Sequence, residues 1–302
     1  MEWENTPEST SIEDRRGAGG GAPLGGGAPL GGGTGGLGLG VIIVLALIGY
    51  FTGIDPRVLI GGAEILTGGG SNGAIQAPAS NAGRRPAVAQ NDPMRTFVAH
   101  VLGETEAVWA QILPAQKGVP YTNATLVLYS GATSSGCGGA QASMGPFYCP
   151  EDKKVYLDMS FFRDMQTQYG GGGDFAYAYV IAHEIGHHVQ DLLGILDKVD
   201  AAKQNVSRTQ ANALSVRVEL MADCLAGVWA ANANQKWKIL DPGDIEKALA
   251  TAAAIGDDRL QREARGYAVP DSFTHGSSAM RQKWLTIGLN SGQVDSCDTF
   301  RP

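Results

Sequence analysis

Residues 183–187 read His-Glu-Ile-Gly-His. Two histidines four apart share one face of a helix, so both imidazoles can reach one metal ion. Glu184 then stands beside the water that a zinc ion acidifies, and can take its proton as general base. With five histidines and twelve glutamates in 302 residues, chance produces this pattern on the order of a few times in a thousand. The alternative is an exposed helix that merely carries these side chains. The preceding run Tyr177-Ala-Tyr-Val-Ile-Ala182 is apolar and predicts a buried helix. There the same cluster without a metal is costly.

A catalytic zinc site needs three protein ligands and one open position. Extending the motif requires glycine at 190 and histidine at 193, and the chain has Gln190 and Leu193. The other extension is a glutamate on a second helix with an aspartate four residues later. Glu219-Leu-Met-Ala-Asp223 supplies it. Glu219 is the expected third ligand. Asp223, on the same face, accepts the outer N–H of a ligand histidine and fixes its tautomer. Val216, Val218, Leu220, Met221, Leu225, Val228 and Trp229 leave that helix little polar face. Two carboxylates there need partners. The expected cofactor is one Zn2+ per chain, on His183, His187 and Glu219.

The elements that position these residues are mostly helical. Asp92-Pro93 serves as N-cap and first position of a helix whose apolar residues recur to Leu113, where Pro114 stops it. Strands are predicted at 125–129 and 153–158, with a Gly/Ser loop at 131–144 between them. A short helix follows at 161–169. Asp174 caps the motif helix, 175–193. A polar connection leads to a long helix at 209–234, then to helices at 245–264 and 277–289. The pattern is α+β.

Composition bounds the rest. The chain carries a net charge of −7, and no basic run exceeds two residues. That argues against nucleic-acid partners. Of 43 glycines, many fall in 17–40, where GGGAPL repeats without helical or strand period. Residues 1–36 therefore read as a flexible Gly-rich segment. Residues 37–54 form an uncharged apolar run at the short end of what crosses a bilayer, and read as one transmembrane helix. The run begins too far in for a cleaved signal, and no small-residue cleavage pattern follows it closely. Residues 55–90 are a low-complexity linker. Residues 91–302 are the globular domain.

Several blocks resemble the bacterial neutral zinc metallopeptidase family. They are His-Glu-Ile-Gly-His-His-Val-Gln190, Glu219 to Trp229, Gly145-Pro-Phe-Tyr-Cys-Pro150 and Asp271-Ser-Phe-Thr-His-Gly-Ser277. The start is similar too: a tryptophan, then Glu13-Asp-Arg-Arg-Gly17, a Gly-rich segment and one apolar run. The resemblance covers nearly the whole chain. It implies a single-pass anchored, zincin-like domain that hydrolyses peptide bonds. The 187–219 interval is longer than in thermolysin-like enzymes, which leaves the path of 193–210 open.

Cys137, Cys149, Cys224 and Cys297 have no C-x-x-C spacing and allow three pairings. The pairs 137–149 and 224–297 are favoured, since one closes a local loop and the other ties the tail to the Glu219 helix; four free thiols are the alternative. Disulfides place the domain outside the cytoplasm. The expected orientation is thus N-terminus cytoplasmic, catalytic domain extracytoplasmic in the periplasm. His188 and His100 read as structural. His275, in a loop ahead of a helix, is the candidate donor to the oxyanion, with Tyr148, Tyr156 and Tyr267 as possible partners. Either strand could offer an edge to an extended peptide. The expected function is a membrane-anchored zinc metallopeptidase acting on peptides or proteins. The rivals are a membrane-tethered zinc-containing interaction protein without hydrolytic activity, and a zinc hydrolase of cell-wall peptides or another amide.

Overall fold

A computed structural model describes residues 1–17, 92–167 and 172–301. The expected membrane span at 37–54, the tether from 18 to 36 and the linker at 55–90 lie outside the described residues. Among the described residues no helix is long and apolar enough to cross a membrane. The fold is mixed α+β with helices predominating.

A four-stranded sheet runs in the order β1 (Ile12–Asp14), β2 (Thr125–Tyr129), β6 (Lys154–Asp158), β5 (Phe147–Cys149). β1, β2 and β6 are parallel, and β5 is antiparallel to β6. Side chains alternate across it. Leu126, Leu128, Val155 and Leu157 face the helices. Val127, Tyr129, Tyr156 and Cys149 face the other way, packed with Ala140. Ala140 belongs to a hairpin, β3 (Ala132–Ser135) and β4 (Gly138–Gln141), where a Gly/Ser loop was expected. Its residues are too small and polar to show alternation, and the Cys137–Cys149 disulfide ties it to β5.

Residues 1–17 depart most from expectation. They are not a flexible segment but part of the folded body. β1 completes the sheet beside β2, and Ile12 packs against the core. Trp3 stands edge-on to Phe97.

α1 (Pro93–Lys117) begins as expected, with Asp92 accepting from the Met94 and Arg95 N–H groups. It continues through Pro114 to a left-handed Gly118. Near a C-terminus proline removes one hydrogen bond without breaking the turn. α2 is Ser160–Thr167 and α3 is Asp174–Leu192. Gly173, not Asp174, is the N-cap of α3, and Asp174 accepts from Trp3 Nε1 instead. The 193–210 stretch holds α4 (Ile195–Lys203). α5 (Arg208–Trp237) opens with a capping box from Ser207 and Gln210.

The expected helix 245–264 is two, α6 (Asp244–Ala254) and α7 (Asp257–Arg265). They part at Gly256, against which Ser278 is packed. The last helix, α8 (Ser278–Ser291), crosses α5 almost backbone to backbone. A Cβ on Gly288 would fall 1.9 Å from the Cys224 carbonyl oxygen, and one on Gly227 would fall 2.4 Å from that of Leu285. The second disulfide, Cys224–Cys297, pins the C-terminal segment to α5. Both favoured pairings are formed, and no cysteine is free.

Candidate metal centre

α3 and α5 present the two halves of the motif to each other. His183 and His187 lie one turn apart on α3, with ring planes nearly perpendicular and centroids 4.9 Å apart. Glu219 Oε2 on α5 lies 3.1 Å from His183 Nε2 and 3.5 Å from His187 Nε2. One ligand atom from each of the three falls within 4.8 Å of the others, a group able to hold a metal ion. Donors about 2.0–2.2 Å from one tetrahedral zinc stand roughly 3.3–3.5 Å apart, so the donor set fits that ion.

The orientation of each imidazole is fixed from behind. Asp223 Oδ1 lies 2.9 Å from His183 Nδ1 and accepts its N–H, which leaves Nε2 facing Glu219. For His187 the agent is Gln190. The Gln190 amide nitrogen donates to the Val218 carbonyl at 2.7 Å, so its oxygen must face His187 Nδ1, 2.9 Å away. That oxygen accepts the Nδ1 proton and leaves Nε2 free.

Asp223 has its own partners. Arg281 on α8 donates from Nε to Oδ2 and from Nη2 to Oδ1, each at 2.9 Å. The Tyr179 hydroxyl donates to Oδ1 at 2.6 Å. Spacing along one helix points to Asp223, Tyr179 and Gln190, the last two lying four residues before and three after a motif histidine. Nothing local points to Arg281, which arrives from a helix 58 residues further on.

Burial alone would keep both histidines neutral, but the carboxylates outweigh it. Asp223 and Glu219 raise His183 to about 10, and Glu219 raises His187. Burial would likewise raise Glu219, yet His187, His275 and His183 hold it well below the carboxylate range. A metal ion on both Nε2 atoms requires neutral imidazoles, so its binding would compete with protonation there.

Glu184 is buried on the same helix and lines the same cleft as His183, His187 and Glu219, a space of about 710 Å³. His275 lines it too. Its loop is shaped by Asp257, the first residue of α7. Asp257 Oδ2 accepts from the backbone N–H groups of Thr274, His275 and Gly276 at 2.7, 2.6 and 3.0 Å. Asp257 Oδ1 lies 3.5 Å from His275 Nδ1. The His275 side chain is 53% exposed; partial loss of solvent lowers its pKa, but Glu219 and Asp257 raise it further than that. The helix break at Gly256 thus supplies a residue of the site.

Other candidates fall elsewhere. His188 is buried, with Nε2 donating to the Thr122 carbonyl and Nδ1 3.0 Å from the Tyr148 hydroxyl. It ties α3 to the chain before β2. Tyr148 borders the cleft, but its hydroxyl donates to Asp191. The Tyr156 hydroxyl donates to Asp152, and Tyr267 is exposed against Arg265. His100 contacts the Thr6 carbonyl. Neither expected strand is an edge: β2 lies between β1 and β6, and β6 between β2 and β5. The edge beside the cleft is β5, whose Phe147 and Tyr148 line it.

The family described as "Putative neutral zinc metallopeptidase" matches residues 1–300. Uncharacterized protein YpfJ of Escherichia coli (strain K12) is 45% identical over 300 residues, 99% of each chain. Uncharacterized protein Rv2575 of Mycobacterium tuberculosis is 46% identical over 205 residues, 65% of this chain and 67% of that one. No solved structure matches this chain. The chain belongs to the neutral zinc metallopeptidase family.

Proposed function

We propose that this member of the family is a zinc-dependent peptidase with a zincin-like domain, which hydrolyses peptide bonds in the cleft between β5 and α3. The reading is carried by the convergence of His183, His187 and Glu219 with Glu184 on one open cleft. A zinc ion on those three donors supplies the charge that acidifies water and polarises a carbonyl. Glu184 accepts a proton from the water whose oxygen attacks the scissile carbonyl carbon. It returns that proton to the amine nitrogen as the C–N bond breaks. His275, oriented by Asp257, donates to the oxyanion that develops on the carbonyl oxygen. The free edge of β5 aligns the substrate backbone. Met144, Phe147, Phe161, Val180 and Leu196 give the walls apolar patches among the polar groups of the site, which suit apolar side chains beside the scissile bond. Attachment to a lipid bilayer through 37–54 belongs to this reading.

The test is hydrolysis of a peptide library by the full chain loaded with zinc, beside its Glu184→Gln variant. Cleavage by the wild type, with the variant slower by about 10²–10⁴-fold at unchanged zinc content, supports the reading. Equal cleavage by both sinks the general-base role. No cleavage by either, with one zinc bound per chain, overturns the peptidase in favour of a tethered zinc-containing interaction protein.

A further inference from the structure

Residues 14–16, at the end of β1, meet residues 92–95, at the start of α1. Arg16 Nη1 donates to Asp92, while its Nε and Nη2 donate to Asp14. Arg95 Nε stands 3.7 Å from Asp14. The Arg16 and Asp14 side chains are only 12% and 17% exposed, so this is a half-sequestered network rather than a passing surface pair.

Residues 1–17 are built into the domain along their length. The Leu126 N–H donates to the Ser11 carbonyl at 2.8 Å and the Arg15 N–H to that of Leu128 at 2.7 Å. The Ser9 N–H donates to the Ala99 carbonyl at 2.9 Å. Pro7 lies so close to α1 that a Cβ on Gly103 would come within 2.3 Å of its carbonyl oxygen. Glu13 joins Lys154 of β6 at 2.8 Å. These contacts belong to the same body as the metal centre.

An apolar run that crosses a bilayer once leaves the chain before it and the chain after it on opposite sides. The hydrocarbon between them is about 30 Å thick, and no strand pairs across it. Residues 1–17 precede the run at 37–54, and the domain follows it, yet the two share one sheet. Given the bilayer attachment proposed above, we infer that residues 1–17 and the metallopeptidase domain lie on the same side of the membrane. This replaces the single-pass orientation read from the sequence, and it stands independently of peptidase activity. The two disulfides make the shared side the oxidising one.

The test uses the full chain in cells, with Thr10→Cys and, separately, Gln235→Cys, both exposed positions. A membrane-impermeant maleimide is applied to spheroplasts and to inverted vesicles. Labelling of both positions in the same preparation supports the inference, with spheroplasts the expected one. Labelling of position 10 only in the preparation where position 235 is protected overturns it. Hydrogen exchange of the unmutated full chain, solubilised from membranes, checks docking without new cysteines. Slow exchange at Leu126 and Arg15 is expected. Exchange at both as fast as in an unfolded peptide would also overturn the inference.

Discussion

Asp223 and Glu104 are both carboxylic acids with no exposed surface, each on a core helix. The domain treats them oppositely. Asp223 accepts two hydrogen bonds from Arg281, one from Tyr179 and one from His183. Burial would raise its pKa, but Arg281 and His183 drive it well below the carboxylate range. Glu104, under the N-terminal segment, has no hydrogen bond to either oxygen. Burial, only partly opposed by Thr6, pushes it up to about 8. A buried carboxylate keeps its charge where cations and donors converge on it, and keeps its proton where they do not. At the metal centre the charge orients an imidazole. Beneath the N-terminal segment the carboxyl stays neutral, with no cation beside it among the described residues.

Asp223→Ala attacks the paired member and carries the largest expected effect. It strands a guanidinium that is 3% exposed, at a cost of about 3–5 kcal/mol. It also releases His183, weakening zinc binding by about 10–100-fold. Urea unfolding and metal-competition titration read the two losses separately. Adding Arg281→Met should restore most of the stability and none of the zinc affinity. Recovery of both would mean that Asp223 serves packing alone.

Glu104→Met attacks the unpaired member and should stabilise. The unfolded carboxyl ionises near 4.5 and the folded one near 8. Below pH 4.5 both states are protonated and nothing is lost. Between 4.5 and 8 only the unfolded state releases the proton, so wild-type stability falls as pH rises, and it levels off above 8. At about 1.4 kcal/mol per pH unit, the variant should gain roughly 2–3 kcal/mol at pH 7 over its advantage at pH 4.5. Parallel stability–pH curves for the two proteins would refute the assignment.

Gln190→Ala sharpens the comparison at the other histidine, where the orienting acceptor is neutral. Zinc affinity should fall by about tenfold, less than for Asp223→Ala, with about 1 kcal/mol lost in stability from the unpaired Val218 carbonyl. A larger zinc loss than in Asp223→Ala would mean that orientation matters more than charge.

Much of the site is legible because it is local. His183, Glu184 and His187 announce themselves by spacing on one turn of helix. Glu219 and Asp223 do so by acidity within an apolar run. What is not legible is carried by packing between distant segments. Arg281 reaches Asp223 only because small residues let α5 and α8 touch. Asp257 enters the site only because Gly256 breaks a helix whose residues favour continuing. β1 is three residues, two of them acidic, and its alternation is too short to register. Its partner strand begins only at Thr125, far along the chain, where Leu126 faces Ile12. The hairpin at 132–141 hides in Gly/Ser composition, because its register is held by backbone pairing and a disulfide rather than by apolar side chains.

The Arg16–Asp92 contact also bears on how the protein is made in the laboratory. A recombinant chain begun at residue 92 would lack its first strand, and the backbone of β2 would be left as an open edge inviting aggregation. Joining residue 17 directly to residue 92 through a short glycine bridge of about four to six residues, which reaches roughly 13–20 Å, would keep that strand while deleting the apolar run. The design keeps β1 beside β2 and the Arg16–Asp92 pair within one folded body.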